Sequence, residues 1–382
     1  MKRSKVETSV WAPVDRHAGP AAYTAFAQAA KDTGVIDWLL MPDQLTSWWP
    51  TSLWTKENTP LAEFVPDCDS WPDAAMMAAY MSASVLEVGY VISTDALRRG
   101  PAEMCQSMLT LADITGGRAM FQVGAGELKQ AKPFGHVRAE GLKRLEDFFK
   151  AWDHWKKYPD APLTMDGNVW KLSSASLGSA RKHLPQVWAL GGGPKLIDMA
   201  TTYADGFATM MPFAWPDAEA AAKNIAAMKT ALKAKGRDPE TFGFGVWLMA
   251  MIHEDEAVID EVLDNTLVRW MTAAFGRVNQ TEWLNEGIEP IFPHDWHYAM
   301  KLLPVEWDAT AANEVVKKVT PEMGRKAWAC GNVEEIARRA QELIDVGFNW
   351  VSIGDFLPVV RPSSNPREVL ANAEKVCAII RR

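Results

Sequence analysis

Apolar positions in this chain follow two rhythms. Short continuous runs, rich in β-branched and aromatic side chains, are each followed by a longer stretch in which apolar residues recur with the period of a helix. The runs at 6–11, 35–41, 85–93, 119–124, 186–190, 206–211, 242–251 and 350–353 predict eight strands. Polar residues rarely interrupt them, which suits parallel strands covered on both faces. Eight strands alternating with helices predict an α/β fold, a (β/α)8 TIM barrel, with the whole chain, 1–382, as one domain.

The helical stretches agree. Leu145, Phe148, Phe149, Trp152 and Trp155 share one stripe. Val333, Ile336, Ala337, Ala340, Leu343 and Ile344 form a second, which stops at Gly347 as a C-terminal cap and hands over to the strand at 350–353. A third, 218–235, stops at Gly236 ahead of Asp238-Pro239. Only 275–323 breaks the rhythm: it is rich in Trp, Pro and His and too long for a simple connection. It reads as an insertion before the last strand, either a cover on the substrate side or a packing element at a subunit contact.

Composition narrows the class. Of 382 residues, 48% are apolar and 23% charged, and 48 acidic against 40 basic side chains leave a formal charge of −8. A dedicated nucleic-acid binder would carry a basic face instead. No apolar stretch approaches the roughly 20 residues that span a bilayer. The polar start, 1–10, lacks the apolar segment of a signal peptide, so a cytoplasmic enzyme is expected. Cys68, Cys105, Cys330 and Cys377 show neither CxxC nor zinc spacing, and no HExxH or carboxylate–histidine set predicts a metal site. Without a G-x-S-x-G elbow, a serine hydrolase has no anchor.

Candidate chemistry gathers where predicted strands end, the side on which TIM barrels build their sites. After the strand at 119–124 comes Ala125-Gly126-Glu127, where glycines allow close backbone approach and Glu127 is either a working carboxylate or a cap for nearby amides. Gly191-Gly192-Gly193-Pro194 closes the fifth strand and opens a helix; exposed amides, the helix dipole and Lys195 favour a phosphate over a bare tight turn. Asp43 and Gln44 emerge after the second strand beside Trp48 and Trp49, and indoles are natural stacking partners for a planar ring. With 18 tryptophans in the chain, Trp48 stands out by location alone.

In their order and spacing these pieces resemble the bacterial luciferase-like superfamily, within it the branch that uses the deazaflavin coenzyme F420, including phthiodiolone ketoreductases and glucose-6-phosphate dehydrogenases. The resemblance runs through Asp43-Gln44, Thr94…Arg98…Pro101, Val123-Gly-Ala-Gly-Glu127, Arg144-Leu145-Glu146, Leu190-Gly-Gly-Gly-Pro194, Tyr203-Ala-Asp-Gly206 and Gly236-Arg-Asp-Pro239. The 275–323 insertion and Gly331-Asn-Val-Glu-Glu335 are closest to the ketoreductases.

That resemblance implies a coenzyme in the C-terminal mouth of the barrel, lined by Asp43, Thr94, Ala125 and Gly126. A non-prolyl cis peptide at Val91–Ile92 would bulge the third strand against the ring. Gly191, Gly192, Gly193, Lys195 and Leu196 would hold the phosphate with Gln130 nearby, Trp48 would face the substrate, and Glu127 would serve in proton transfer. Where sugar-phosphate and alcohol dehydrogenases of the family carry a catalytic histidine, this chain has Gln44. Glutamine donates a hydrogen bond but does not exchange a proton near neutral pH, a departure that bears on alcohol oxidation more than on reduction of a polarised double bond. The expectation is a homodimeric F420-dependent oxidoreductase that moves a hydride between deazaflavin C5 and an apolar carbonyl- or alkene-type substrate. An FMN-dependent two-component monooxygenase of the same fold, or a non-catalytic flavin or deazaflavin binder, are the alternatives.

Overall fold

The computed structural model describes residues 6–13 and 15–382, so the first half of the polar start lies outside the described residues. Eleven strands follow one another along the chain: β1 (Glu7–Trp11), β2 (Trp38–Pro42), β3 (Gly89–Asp95), β4 (Ala119–Gly124), β5 (Leu163–Asp166), β6 (Lys171–Ala175), β7 (Gln186–Leu190), β8 (Gly206–Met211), β9 (Gly243–Ile252), β10 (Ala329–Gly331) and β11 (Trp350–Asp355). Eight of them pair in parallel in the order β1-β2-β3-β4-β7-β8-β9-β11, and β11 returns to β1. The sheet is thus closed: a (β/α)8 TIM barrel. β10 adds to β9 outside the ring, and β5 and β6 form a separate antiparallel hairpin.

Strand alternation separates two cores. Outward residues such as Leu39, Tyr90, Ile92, Phe121, Val187, Phe207 and Val351 pack under the surrounding helices. Inward residues, among them Trp38, Leu40, Val91, Met120, Trp188, Trp247 and Trp350, fill the interior and join the insertion above it. Of these, Trp38, Trp188 and Trp350 need room from neighbouring strands. A Cβ on Gly243 would stand 2.1 Å from the Trp188 ring, so only glycine leaves that indole its place. The interior is therefore plugged with side chains, and only the strand C-terminal ends are left to build a site.

The helices realise the predicted stripes. Gly141–Lys157 buries Leu145, Phe148, Phe149, Trp152 and Trp155, and Val333–Asp345 buries Val333, Ile336, Ala337, Ala340 and Leu343. The insertion carries the short helices Thr281–Asn285, Tyr298–Lys301, Ala309–Val316 and Pro321–Ala327. Its Trp283, Phe292, Trp296 and Leu302 are buried in the same cluster as the barrel interior. It lies over the mouth rather than beside the barrel.

One expectation is corrected. The Val91–Ile92 peptide is trans; among the described residues only Met211–Pro212 is cis. β3 keeps unbroken register with β2 from Gly89 to Ser93 and with β4 from Tyr90 to Asp95, leaving no bulge. Ladders on both sides hold Val91 inward and Ile92 outward in an ordinary pleat, where the trans amide is favoured by about 3–4 kcal/mol. Among the described residues no helix is long and apolar enough to cross a membrane.

Candidate active site

Because β2, β3, β4 and β7 are parallel neighbours, the residues that follow them stand on one rim. Asp43, Gln44 and Trp48 come from the turn after β2, Thr94 from the end of β3, Ala125 to Glu127 from the turn after β4, and Gly191 to Leu196 from the turn after β7. The glycine-lined turns and the carboxylate sit at the same end of the barrel.

Two backbone features shape the β4 turn. Gly126 adopts φ +81°, a left-handed conformation that glycine takes without a Cβ penalty, and a Cβ there would press on Leu97 at 3.1 Å. Gly141, first residue of its helix, lets Ala125 O approach so closely that a Cβ would lie 2.0 Å away. The turn is clamped between β3 and a helix N-terminus, and this holds Glu127 at the mouth.

Glu127 meets a lysine. Its Oε2 is shielded from solvent and lies 3.0 Å from Lys129 Nζ, while Oε1 accepts from Trp48 Nε1 at 3.4 Å. Lys129 is only 1% exposed, an unusual state for a side chain that proteins keep in water unless it is paired. Its ammonium donates to Gln44 Oε1 at 2.6 Å and to Thr46 O at 2.8 Å, and it stands 4.6 Å from the centre of the Trp48 ring. Burial pulls the Lys129 ammonium below its ordinary range, and the Glu127 charge opposes that shift. Gln130 is equally buried and turned to the same loop: Oε1 accepts from Leu45 N at 2.7 Å, while Nε2 donates to Thr46 O at 3.0 Å and to Gln44 Oε1. Its amide thus serves the 44–46 loop.

A second network lies beneath Asp43. Thr94 Oγ1 donates to Asp43 Oδ2 at 2.7 Å, and Arg98 reaches that oxygen at 3.1 Å, Asp43 O at 2.7 Å and Asp95 Oδ2 at 2.6 Å. Burial alone would lower the Arg98 pKa, but Asp95 and Asp43 outweigh it and raise the guanidinium above its ordinary value. The carboxylate and hydroxyl expected to line a coenzyme are therefore already bonded to each other. Val91 and Ile92, buried in mid-strand, form the barrel wall.

The insertion supplies the far wall. Phe275 and Tyr298 pack at 4.2 Å between ring centres, and Phe275 meets the Trp48 edge at 6.4 Å. Trp270 Nε1 donates to Trp48 O at 2.9 Å and fixes that indole's backbone. Burial and then the nearby Glu127 charge push the Tyr298 hydroxyl well above its usual pKa; burial and then Arg138 hold His297 below its own. Arg138 Nε donates to Ala299 O at 3.1 Å, tying the helix approach after β4 to the insertion.

The turn after β7 is open. Gly193 caps the helix Pro194–Tyr203, and nothing lies within 4 Å of where its Cβ would stand. A Cβ on Gly192 would sit 3.9 Å from Thr209 Oγ1, a buried hydroxyl without a hydrogen-bond partner among the described residues. Lys195 is exposed and Leu196 buried. Unbonded amides at a helix start above an orphan hydroxyl suit an anionic oxygen group.

Sequence reasoning missed Lys129, Arg138, His297 and Tyr298 as site residues. Lys129 carries no local signal, since a lysine two residues after an acid on a short helix reads as solvent-exposed. Tyr298 becomes visible only when the insertion folds over the mouth. His253, at the end of β9, takes the Asp255 N–H at 3.0 Å in a local turn. Among the described residues no group of three or more His, Cys, Asp or Glu side chains is arranged to hold a metal ion.

Comparison with known proteins adds context. The family described as luciferase-like monooxygenase matches residues 15–349. A phthiodiolone/phenolphthiodiolone dimycocerosates ketoreductase of Mycobacterium sp. (strain JLS) is 26% identical over 321 residues, covering 81% of each chain. Among solved structures, an F420-dependent secondary alcohol dehydrogenase in complex with an F420-acetone adduct superposes with TM-score 0.72 at 16% identity, covering 99% of this chain and 100% of that one. The oxygenating constituent of 3,6-diketocamphane monooxygenase from Pseudomonas putida, in complex with FMN, superposes with TM-score 0.59 at 13% identity, covering 99% and 97%. At such identities the two structures share the fold.

Proposed function

We propose, from the premise that the chain belongs to the luciferase-like monooxygenase family, that it is an F420-dependent oxidoreductase acting on an apolar carbonyl- or alkene-type substrate. One observation carries the reading: the open turn at Gly192 and Gly193, the Gly126 turn and Glu127 converge on one rim, beneath an aromatic wall of Trp48, Phe275 and Tyr298. The names of the ketoreductase relative and of the F420-dependent structural neighbour support the same direction.

The residues present fit such a coenzyme. The amides around Gly192 and Gly193, with Thr209 Oγ1 buried and unpartnered below, suit its phosphate, and Lys195 and Leu196 stand in the same helix start. Ala125 and Gly126 would border its ring. When bound, the coenzyme supplies a hydride donor or acceptor at ring carbon C5. The chain's own part is binding and orientation: holding reacting groups in line at about 3–3.5 Å can supply much of a rate enhancement. Trp48, Phe275 and Tyr298 exclude water and present apolar surface to the substrate. Glu127 is the carboxylate at the mouth available to hold or move a proton at Oε1, and Gln44 orients the acceptor.

The test is turnover with purified protein and reduced F420 across ketones, enones and imines, followed by recovery of the oxidised coenzyme's absorbance. Turnover of an apolar member is expected. Oxygen-dependent product with reduced FMN, and none with F420, would replace this reading with the monooxygenase one; tight coenzyme binding without turnover of any member would make the chain a binder.

A further inference from the structure

We propose that Gln44 and Lys129 together select an acceptor-only oxygen on the substrate: Lys129 and Gln130 lock the Gln44 carboxamide so that its NH2 faces the pocket, and the site takes a ketone in preference to the matching alcohol. This rests on the oxidoreductase reading above and specifies its substrate class.

The lock follows from donor and acceptor inventories. An ammonium can only donate, so the Gln44 atom 2.6 Å from Lys129 Nζ is the carboxamide oxygen. Gln130 reaches the same answer independently. The Leu45 N–H, a donor only, faces one end of the Gln130 amide at 2.7 Å, and Thr46 O, an acceptor only, faces the other at 3.0 Å. Gln130 Nε2 is therefore a donor, and the Gln44 atom it meets is again the oxygen. Three groups with fixed roles impose one orientation on a side chain that elsewhere rotates freely by half a turn.

The consequence is chemical polarity. With Oε1 taking two donors, Gln44 offers the pocket two N–H groups and no free acceptor; Nε2 has no hydrogen-bond partner among the described residues, and the side chain is half-buried on the mouth rim. A carbonyl oxygen satisfies those donors. A hydroxyl also brings a proton that needs an acceptor, and Gln44 has none to give; Glu127 Oε1 already accepts from Trp48 Nε1, so the hydroxyl must compete for it, a cost the carbonyl does not bear. Lys129 lies too deep to touch substrate and acts through Gln44: it is a positioning residue. The barrel supports it with Glu127 at 3.0 Å and the Trp48 ring at 4.6 Å, which together keep a buried ammonium in place.

The experiment compares inhibition or equilibrium binding of 2-undecanone and 2-undecanol, with and without oxidised F420, in the wild type, Gln44→Glu and Lys129→Met. The wild type is expected to favour the ketone by about tenfold or more, the equivalent of one hydrogen bond. Gln44→Glu keeps the Lys129 contact but turns an acceptor to the pocket, so the preference should invert toward the alcohol. Lys129→Met removes one of the two donors on Gln44 Oε1 and leaves Gln130 as the remaining lock, so the ratio should fall but stay above unity. Should Lys129→Met fail to fold, Gln44→Glu decides alone. A merely structural role would weaken both ligands equally; an unchanged ratio in Gln44→Glu overturns the proposal. If F420 fails to bind while the ketone preference persists and inverts, the coenzyme reading falls and the lock stands; if F420 binds and the ratio does not move, the lock falls alone.

Discussion

Lys129 and Glu127, two residues apart on the turn after β4, form an ion pair at 3.0 Å with the lysine sealed from solvent. A buried ammonium is tolerated only where charge and hydrogen bonds replace its water, and here Glu127, Gln44 and Thr46 do so. The acid at the mouth thus holds up part of the site's floor.

Glu127→Gln should therefore report two effects. Turnover is expected to fall by about 100-fold or more, the range for losing a proton-transfer group, while coenzyme affinity stays within about threefold because the turn after β7 proposed to hold the phosphate is untouched. Thermal stability also drops, since Lys129 loses its opposite charge. Steady-state kinetics, coenzyme titration and a melting curve check each arm; an unchanged turnover number would remove Glu127 from the chemistry.

The Asp43–Arg98–Asp95 network bears on stability rather than on catalysis. Arg98→Met leaves buried Asp95 without its cation and Asp43 with only the Arg99 nitrogen 3.7 Å away, and should cost about 3–5 kcal/mol in denaturant unfolding. Arg98→Lys should recover only part of that, because one ammonium cannot reach Asp95 and Asp43 with the separate nitrogens that the guanidinium uses. Full recovery by lysine would show that charge alone, without the fork geometry, supports the rim.

Asp355, at the end of β11, gives a pH signature. Burial raises its carboxyl to about 7, against the weaker opposing bonds from Leu357 N and others. A folded-state pKa above the unfolded value of about 3.9 means that the native state holds the proton more tightly. The stabilisation is complete below about pH 4 and is lost as pH rises toward 7. Asp355→Asn keeps the acceptor for Leu357 and abolishes the charge, so its melting temperature relative to wild type should rise between about pH 5 and about pH 8. A difference that stays constant across that interval would place the carboxyl in water.

Much of the barrel was legible because parallel strands buried on both faces leave continuous apolar runs. The runs at 119–124, 186–190 and 206–211 coincide with β4, β7 and β8. Two predicted strands start early for a physical reason. Val35 and Ile36 are apolar but follow the left-handed Gly34 cap, and Val85 and Val88 precede β3 in a turn where Tyr90 donates its hydroxyl to Val85 O. Both pairs pack against the core without joining the ladder. The β5–β6 hairpin was invisible because most of its residues are exposed and polar, and β10 because three residues carry no period. At the site, glycines and the acid announced themselves by position. Lys129 did not, since its burial depends on the 44–46 loop closing over it, a contact 83 to 85 residues distant in the chain. The cis peptide inferred from resemblance failed because nothing in the local sequence interrupts the β3 ladders.

The most direct test of the account is coenzyme choice. Equilibrium titration of the purified chain with F420 and, separately, with FMN should give saturable F420 binding that weakens by about tenfold or more in Gly193→Asp, where a carboxylate would meet the phosphate, and far weaker binding of FMN. Binding of FMN in preference to F420, or F420 binding indifferent to a carboxylate at position 193, would contradict it.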